Sequence, residues 1–219
     1  LELGRSLVQG GLPAGRPLFE RRLGELSVKA RNAGMILERG TAQGADKTHQ
    51  RATGEAVLEL YFFQILTSTT WILDFRSTAM TEGPAGPGSI FWNPAQVHHS
   101  LDPNWVSSVR SLYSGYYSGR MDDFDRSLEE LGLASAREAL LAHFGSGDQA
   151  SVKFELAHFQ RTFLTVFKDL ARQKRSIRTE FIVLGLSLLA LYENLETQGG
   201  SYNVRETFLR AQAKAHAPG

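Results

Sequence analysis

The sequence contains no cysteine. A chain without cysteine cannot form disulfide bonds, thiolate zinc sites or iron–sulfur clusters, and it has no cysteine nucleophile. Any metal site in this chain must therefore use His, Asp or Glu side chains. The sequence also lacks the Gly-x-Ser-x-Gly elbow of serine hydrolases and a glycine-rich phosphate loop, so neither acyl transfer nor phosphoryl transfer is indicated.

Neither sign of charge is in excess, because 24 Lys and Arg residues oppose 23 Asp and Glu residues. This balance gives no overall attraction to nucleic acid or to an anionic membrane. The longest apolar run, residues 181–192, is too short to cross a bilayer, which needs about 20 residues. The opening stretch LELGRSLVQGGLPAG lacks the basic start and apolar core of a signal peptide. We therefore expect a soluble cytoplasmic protein.

Helical periodicity dominates the remaining pattern and predicts a mainly α fold of about seven or eight helices. The 219 residues, of which 42% are hydrophobic, are enough for one helical domain over residues 1–219. Asp102 followed by Pro103 is a good start for a helix that reaches about Ser118. Further helices are predicted over residues 17–39, 47–66, 121–133, 135–145, 148–173, 178–197 and 203–213.

A β-hairpin interrupts the helices. The segment TSTTWILDFR, residues 67–76, is rich in β-branched and aromatic residues, and SIFWNPA, residues 89–95, is similar in character. The Gly- and Pro-rich loop TEGPAGPG separates them. We expect a hairpin over about residues 69–93, as an appendage within residues 67–95.

Two helices are predicted to form the main core as an antiparallel pair, residues 148–173 and 178–197. The second of them is apolar on all sides between Phe181 and Tyr192. Such a helix is normally surrounded by others, which places it at the centre of the bundle.

Aromatic residues with polar tips concentrate around the hairpin and the helix that follows it. Such residues are typical of interfaces and of ligand pockets. They are predicted either to form a seam with a second copy or to line an apolar pocket, and covering the hairpin's own core is an equally good interpretation. The leading hypothesis is a non-catalytic binding or assembly module, acting as a homo-oligomer or on a protein partner or an apolar ligand. The candidate interface or pocket residues are Trp71, Trp92, Trp105, Tyr113, Tyr116 and Tyr117.

The spacing Glu155-x-x-His158 is the pattern with which helical bundles hold iron or manganese. Di-iron and di-manganese bundles use two such pairs, whereas this chain offers one. A site built from it would loosely resemble a variant centre of the haem-oxygenase-like oxidases, which is the second hypothesis. The additional candidate ligands are Glu55, Glu59, His143 and Glu193.

A cluster of cations at the end of one predicted helix and in the next turn gives the third hypothesis. Cations at a helix C-terminus suit the helix dipole, but they also contact phosphates in proteins that bind nucleic acid or other anions. A nucleic-acid-associated function is therefore weighed as a less favoured alternative. The candidate anion-binding residues are Lys168, Arg172, Lys174, Arg175 and Arg178.

Overall fold

The fold is mainly α, with short strands inserted between helices, as the sequence predicts. The computed structural model describes residues 15–39, 49–144, 151–172 and 177–217. Within these ranges the helices are α1 Gly15–Asn32, α2 Gln50–Thr67, α3 Pro103–Tyr117, α4 Met121–Leu131, α5 Arg137–Phe144, α6 Leu156–Arg172, α7 Thr179–Thr197 and α8 Val204–His216.

The described strands are only two or three residues long and pair in three small sheets. In chain order they are β1 Leu37–Glu38, β2 Thr70–Ile72, β3 Met80–Glu82, β4 Ile90–Trp92, β5 His98–Ser100, β6 Val152–Lys153 and β7 Ser201–Tyr202. The first sheet has the order β1-β4-β3, with β1 parallel and β3 antiparallel to β4. The other two sheets are the antiparallel pairs β2-β5 and β6-β7.

The predicted hairpin is present, but its arms differ from the expected ones. The two arms are β3 and β4, which enclose the Gly- and Pro-rich loop. The strand β2, expected as the first arm, instead pairs with β5, so that one strand pair encloses the other along the chain. The predicted first arm, residues 67–76, contains only β2, and residues 73–79 separate β2 from β3, the strand that pairs with β4.

The first predicted helix was expected to continue to Arg39 but ends at Asn32. Gly34 follows with a φ of 77°, a left-handed conformation that stops a helix and that favours glycine. Leu37 then pairs with Ile90 in the parallel strand contact. Leu37 is buried as the sequence predicts, but it is buried as part of a strand.

The helix predicted from residue 148 begins only at Leu156, and this corrects the interpretation of Glu155-x-x-His158. Residues 152–153 are in the strand β6, which pairs with β7. Glu155 therefore precedes the helix on which His158 lies, and its backbone carbonyl accepts a hydrogen bond from the Phe159 amide.

The core centres on α2, which is buried on nearly all sides from Thr53 to Ile65. The predicted antiparallel pair is also present as α6 and α7. Phe163 stacks on Phe181 with ring centroids 5.1 Å apart, and Phe159 lies 4.9 Å from Tyr192. The helix α7 is less central than expected, because Leu189 on its outer side is 36% exposed.

The connector of residues 73–79 is buried at residues 73–75 and turns at residues 77–79, and side chains satisfy part of its backbone. Asn194 on α7 donates to the Phe75 carbonyl at 2.8 Å. The Trp92 indole donates to the Asp74 carbonyl at 2.9 Å, and Glu193 accepts from the amide and the hydroxyl of Ser77. These bonds replace the ladder that a strand would have supplied.

The Asp74 carboxylate anchors the same connector. It accepts two hydrogen bonds from Arg76, at 2.7 and 3.0 Å, and one from the Ala95 amide at 2.7 Å. Burial opposes ionisation of Asp74, but the bonds from Arg76 and Ala95 outweigh it and hold the pKa of Asp74 below its ordinary value. Asp74 is therefore a structural anion.

In the described parts of the chain, no helix combines the length and the apolar character that crossing a bilayer requires.

Replacing Gly115 by alanine tests the close approach of α3 and α4. A Cβ atom there would lie 2.7 Å from the Phe124 amide nitrogen and 3.1 Å from the Arg120 carbonyl oxygen. Both are backbone atoms, so relieving the clash would require α3 and α4 to move apart. We expect Gly115→Ala to lower the free energy of unfolding by about 1–3 kcal/mol, measured by urea denaturation. Gly24→Ala is the matched control, because no atom lies within 4 Å of its Cβ position. It should raise stability by about 0.5–1 kcal/mol, and equal effects at both sites would contradict the packing.

Asn194→Ala tests the support of the connector. The substitution leaves the buried Phe75 carbonyl without its donor, which should cost about 1–3 kcal/mol of unfolding free energy. Thr197→Ala is the control one turn further along α7, where an exposed hydroxyl bonds only to its own helix. We expect a change within about 0.5 kcal/mol for the control. Indistinguishable urea midpoints for the two variants would show that the connector does not need Asn194.

Candidate functional site

The six aromatic residues predicted for an interface or pocket are all buried in the folded chain. Their exposed fractions range from 0% for Trp71 to 6% for Tyr116. They do not present an aromatic surface to solvent, so a seam with a second copy would need them to become exposed. A role in lining an interior pocket remains compatible with their burial.

The tryptophans have structural roles around the strands. The Trp71 ring lies 6.0 Å from the Trp105 ring, and its indole donates to the Ser68 carbonyl at 3.2 Å. Trp92 packs on Phe75 with ring centroids 5.2 Å apart. Trp71 thus packs β2 against α3, and Trp92 packs β4 against the connector, so both help to cover the core beneath the inserted strands.

The tyrosines of α3 divide between two neighbours. Tyr116 lies against Phe124 of α4, with ring centroids 5.6 Å apart. Tyr113 and Tyr117, one turn apart, stack with nearly parallel rings 6.3 Å apart and point towards α2 and α7. Only Tyr113 and Tyr117 of the predicted set therefore line the pocket described next.

Four tyrosines from three helices line one pocket, here called the tyrosine pocket: Tyr61 from α2, Tyr113 and Tyr117 from α3, and Tyr192 from α7. The empty volume is about 330 Å³, including its opening to solvent. The enclosed part has room for about one water molecule. Apolar side chains complete the walls, among them Leu58, Phe62, Phe154, Leu188 and Val204.

The electrostatics of the tyrosine pocket keep its phenol groups neutral. Burial raises the pKa of Tyr61 and of Tyr117 well above the ordinary value of 10.0, and it raises the pKa of Tyr192. Burial also raises the pKa of Tyr113, to about 12, although the Tyr61 hydroxyl acts in the opposite direction. At neutral pH all four groups are therefore uncharged hydroxyls that can donate or accept a hydrogen bond.

The hydroxyl of Tyr61 is buried without an aligned partner. Tyr61 is 1% exposed, and no group in the described residues meets its hydroxyl oxygen in hydrogen-bond geometry. Beside burial, an interaction with the Tyr113 hydroxyl raises the pKa of Tyr61, although the two groups do not meet in full hydrogen-bond geometry. A buried hydroxyl without a partner is unusual, because its desolvation is not compensated. This places an unused hydrogen-bonding group in the wall of the pocket.

Sequence reasoning missed part of this site. Tyr61 lies in the aromatic-rich segment and is a predictable member of it, but Tyr192 is distant in sequence and sits at the end of an apolar run. The only signal for Tyr192 was a polar-tipped aromatic on an otherwise apolar helix. The position of Phe154 in the pocket wall was not predictable, because it depends on the short β6-β7 pairing beside it.

The residues predicted as metal ligands do not come together. Glu155 is exposed and forms an ion pair with Lys153 at 2.9 Å, and the hydrogen bond from Lys153 is the main reason that its pKa is lowered. His158 is half-buried on the first turn of α6. Within the described ranges, no group of three or more His, Asp or Glu side chains could hold a metal ion.

The other acidic candidates already have cationic or hydroxyl partners. Glu55 pairs with Arg51 at 3.2 Å along α2. Glu59, although buried, lies 2.6 Å from the Lys214 ammonium and 3.5 Å from Arg210. Glu193 is held by Ser77, as described for the connector. The side chain of the remaining candidate, His143, lies outside the described part of the structure.

The predicted anion-binding cluster is only partly described. Lys168 and Arg172 are exposed on α6 and at its end. Arg178 lies 3.4 Å from Glu180 and 3.8 Å from Asp102, so acidic groups share its charge. The two central members, Lys174 and Arg175, lie outside the described residues.

The raised tyrosine pKa values predict a loss of stability in alkali. The unfolded chain releases a tyrosine proton near pH 10.0, whereas the folded chain retains that of Tyr113 until about pH 12. Stabilisation by the neutral hydroxyl is therefore complete below pH 10 and is lost as pH rises towards 12. We expect Tyr113→Phe to lose less unfolding free energy over this window, by up to about 1.4 kcal/mol per pH unit. Urea denaturation at stepped pH measures this, and identical slopes for the two proteins would contradict it.

A comparison of the chain with models of known protein families finds no match. A comparison with curated proteins finds no match either. The function of the chain must therefore be inferred from its own geometry.

Proposed function

We propose that the chain is a binding module whose tyrosine pocket takes a small, uncharged ligand that carries one hydroxyl or carbonyl group. The single observation that supports this most directly is the buried hydroxyl of Tyr61, which lacks an aligned partner in the described residues. A ligand oxygen beside it would supply that partner.

The energetics favour occupancy by a group that forms hydrogen bonds. A buried hydroxyl without a partner costs about 1–3 kcal/mol relative to a paired one. The enclosed room fits one water molecule or one ligand oxygen, so a ligand recovers part of this cost when its polar group enters. Apolar walls with few polar groups are typical of small-molecule pockets.

The charge of the pocket selects an uncharged ligand. Tyrosine hydroxyls are neutral at pH 7, burial moves their pKa values further from it, and the remaining walls are apolar. An ionised group placed there would lose its hydration without gaining a counter-ion. Hydroxyl and carbonyl groups do not carry this cost.

The same burial favours a pocket over an exposed aromatic seam. Tyr113 and Tyr117 already pack against Phe62 and Phe208 inside one chain. A second copy could reach these rings only by displacing them from the core. A ligand in the pocket would contact the rings of Tyr113 and Tyr117 in their present positions.

Phenol and benzene test the proposal, because they differ by one hydroxyl. We expect phenol to bind the wild-type protein about 2–10 times more tightly than it binds Tyr61→Phe, as one neutral hydrogen bond contributes about 0.5–1.5 kcal/mol. Benzene should bind both proteins equally. Isothermal titration calorimetry gives the affinities.

Tyr116→Phe is the matched control, since it removes a buried tyrosine hydroxyl that does not line the pocket. Phenol should bind this variant as it binds the wild type. Equal phenol affinity in Tyr61→Phe and wild type, or no phenol binding at all, would refute the proposal.

A further inference from the structure

A separate pocket, here called the hairpin pocket, lies between the loop of the β3-β4 hairpin and the helices α2 and α8. Pro87 and Gly88 of the loop form part of its wall, together with Glu59 of α2 and Lys214 of α8. Its volume is about 460 Å³ including the opening to solvent. Within it, about 120 Å³ admits the centres of water molecules, whereas one bound water needs about 10–15 Å³. The hairpin pocket therefore has room for a small organic molecule with every side chain in its present position.

Backbone hydrogen bonds hold the walls of the hairpin pocket in place. Within the loop, the Ser89 amide donates to the Gly86 carbonyl at 3.0 Å, and the Gly83 amide donates to the Ser89 carbonyl at 2.9 Å. The Ile90 amide donates to the Ile36 carbonyl at 2.9 Å, which joins β4 to the segment that precedes β1. A ligand therefore meets a pocket that is already formed, and binding does not have to order its walls.

The polar part of the wall is a buried ion pair whose hydrogen-bonding capacity is not used up. Glu59 is 7% exposed, and its Oε1 atom lies 2.6 Å from the Lys214 ammonium. This contact balances the charges but lacks hydrogen-bond geometry, so Oε1 accepts no hydrogen bond from the described residues. The ammonium group carries three N–H donors, more than its contact with Glu59 requires. An acceptor and a donor, both charged, thus lie side by side in the wall.

The balance of charge in the wall favours a neutral ligand group. Arg210 lies 3.5 Å from the other oxygen of Glu59, and it also pairs with Glu206 at 3.2 Å. A ligand cation would be repelled by Lys214 and Arg210, and a ligand anion would be repelled by Glu59. A neutral group that both donates and accepts would gain a charge-assisted hydrogen bond from each partner.

We propose that the hairpin pocket binds a small primary carboxamide that carries an apolar substituent. The amide N–H group donates to Glu59 Oε1, and the amide carbonyl accepts from Lys214. A carboxamide suits these partners because its donor and its acceptor are bonded to one carbon, and the partners are only 2.6 Å apart. The apolar substituent lies against buried side chains of the same wall, namely Met35, Leu37, Leu60 and Ile90.

Isobutyramide, isobutyrate and isobutyramidinium test the proposal, because they share one shape and differ in charge. Isothermal titration calorimetry at neutral pH gives the three affinities. We expect the wild-type protein to bind isobutyramide roughly ten- to hundredfold more tightly than either ion, because each ion loses one hydrogen bond to a charged partner. Absence of isobutyramide binding, or an ion that binds as tightly as the amide, would overturn the proposal.

Lys214→Met tests the role of the ion pair, because it removes the ammonium group and keeps an unbranched side chain. Isobutyramide should bind this variant roughly ten- to hundredfold more weakly. Isobutyramidinium should become the tightest of the three ligands, because Glu59 then has only Arg210 to balance its charge. Lys29→Met is the matched control, since Lys29 is not in the wall of the hairpin pocket, and it should leave all three affinities unchanged. An unchanged order of affinities in Lys214→Met would show that the ion pair does not select the ligand.

Ala56→Leu tests the location of the site if Lys214→Met fails to fold. Ala56 is half-buried and lies in the wall of the hairpin pocket but not in that of the tyrosine pocket. The larger side chain takes up space without altering any charge. We expect it to weaken isobutyramide binding at least tenfold and to leave the phenol affinity at its wild-type value. Undiminished isobutyramide binding would place the amide elsewhere and overturn the proposal.

The hairpin pocket and the tyrosine pocket share no wall residue, so the two proposals can fail separately. Loss of phenol binding in Tyr61→Phe bears only on the tyrosine pocket. The order of affinities among the three isobutyric compounds bears only on the hairpin pocket.

Discussion

The structure depends on how a non-helical segment is accommodated against a helical core. Backbone groups pair some of the polar groups in the connector of residues 73–79, but the carbonyls of Asp74 and Phe75 and the amide of Ser77 depend on side-chain partners. Asn194, Glu193 and Trp92 supply those partners. Because they come from α7 and β4, their hydrogen bonds also tie the helices to the inserted strands. Losing these hydrogen bonds would therefore weaken the contact between the helices and the inserted strands, and not only the connector itself.

The same connector supports the tyrosine pocket. Phe75 is fully buried in it and packs edge-on against Tyr61, with ring centroids 5.6 Å apart. Tyr61 is thereby held in the wall of the pocket, where its hydroxyl lacks an aligned partner within the described residues. Stability and candidate function are therefore linked, since the hydrogen bonds that satisfy a buried backbone also help to position Tyr61, one of several described residues with a buried polar atom that lacks a hydrogen-bond partner.

The spacing Glu155-x-x-His158 shows that a short motif can form a metal site only if its residues adopt the secondary structure that the motif assumes. The motif presents two ligands on one face only if both residues are helical. Here Val152 and Lys153 pair with the strand β7, which delays the start of α6 until Leu156. The strand partner lies about fifty residues further along the chain, so local propensity could not reveal it. Lys153 then pairs with the exposed carboxylate of Glu155.

The sequence by itself determined the helical class, the antiparallel pair α6–α7 and the start of α3 at Asp102, whose carboxylate accepts from two backbone amides. These features follow from local periodicity and capping, which act over a few residues. Tertiary structure decided the strand partners and the meeting of Tyr61, Tyr113 and Tyr192 in one pocket. Those outcomes depend on contacts between residues far apart in the chain, and no local pattern encodes which distant segments will be neighbours.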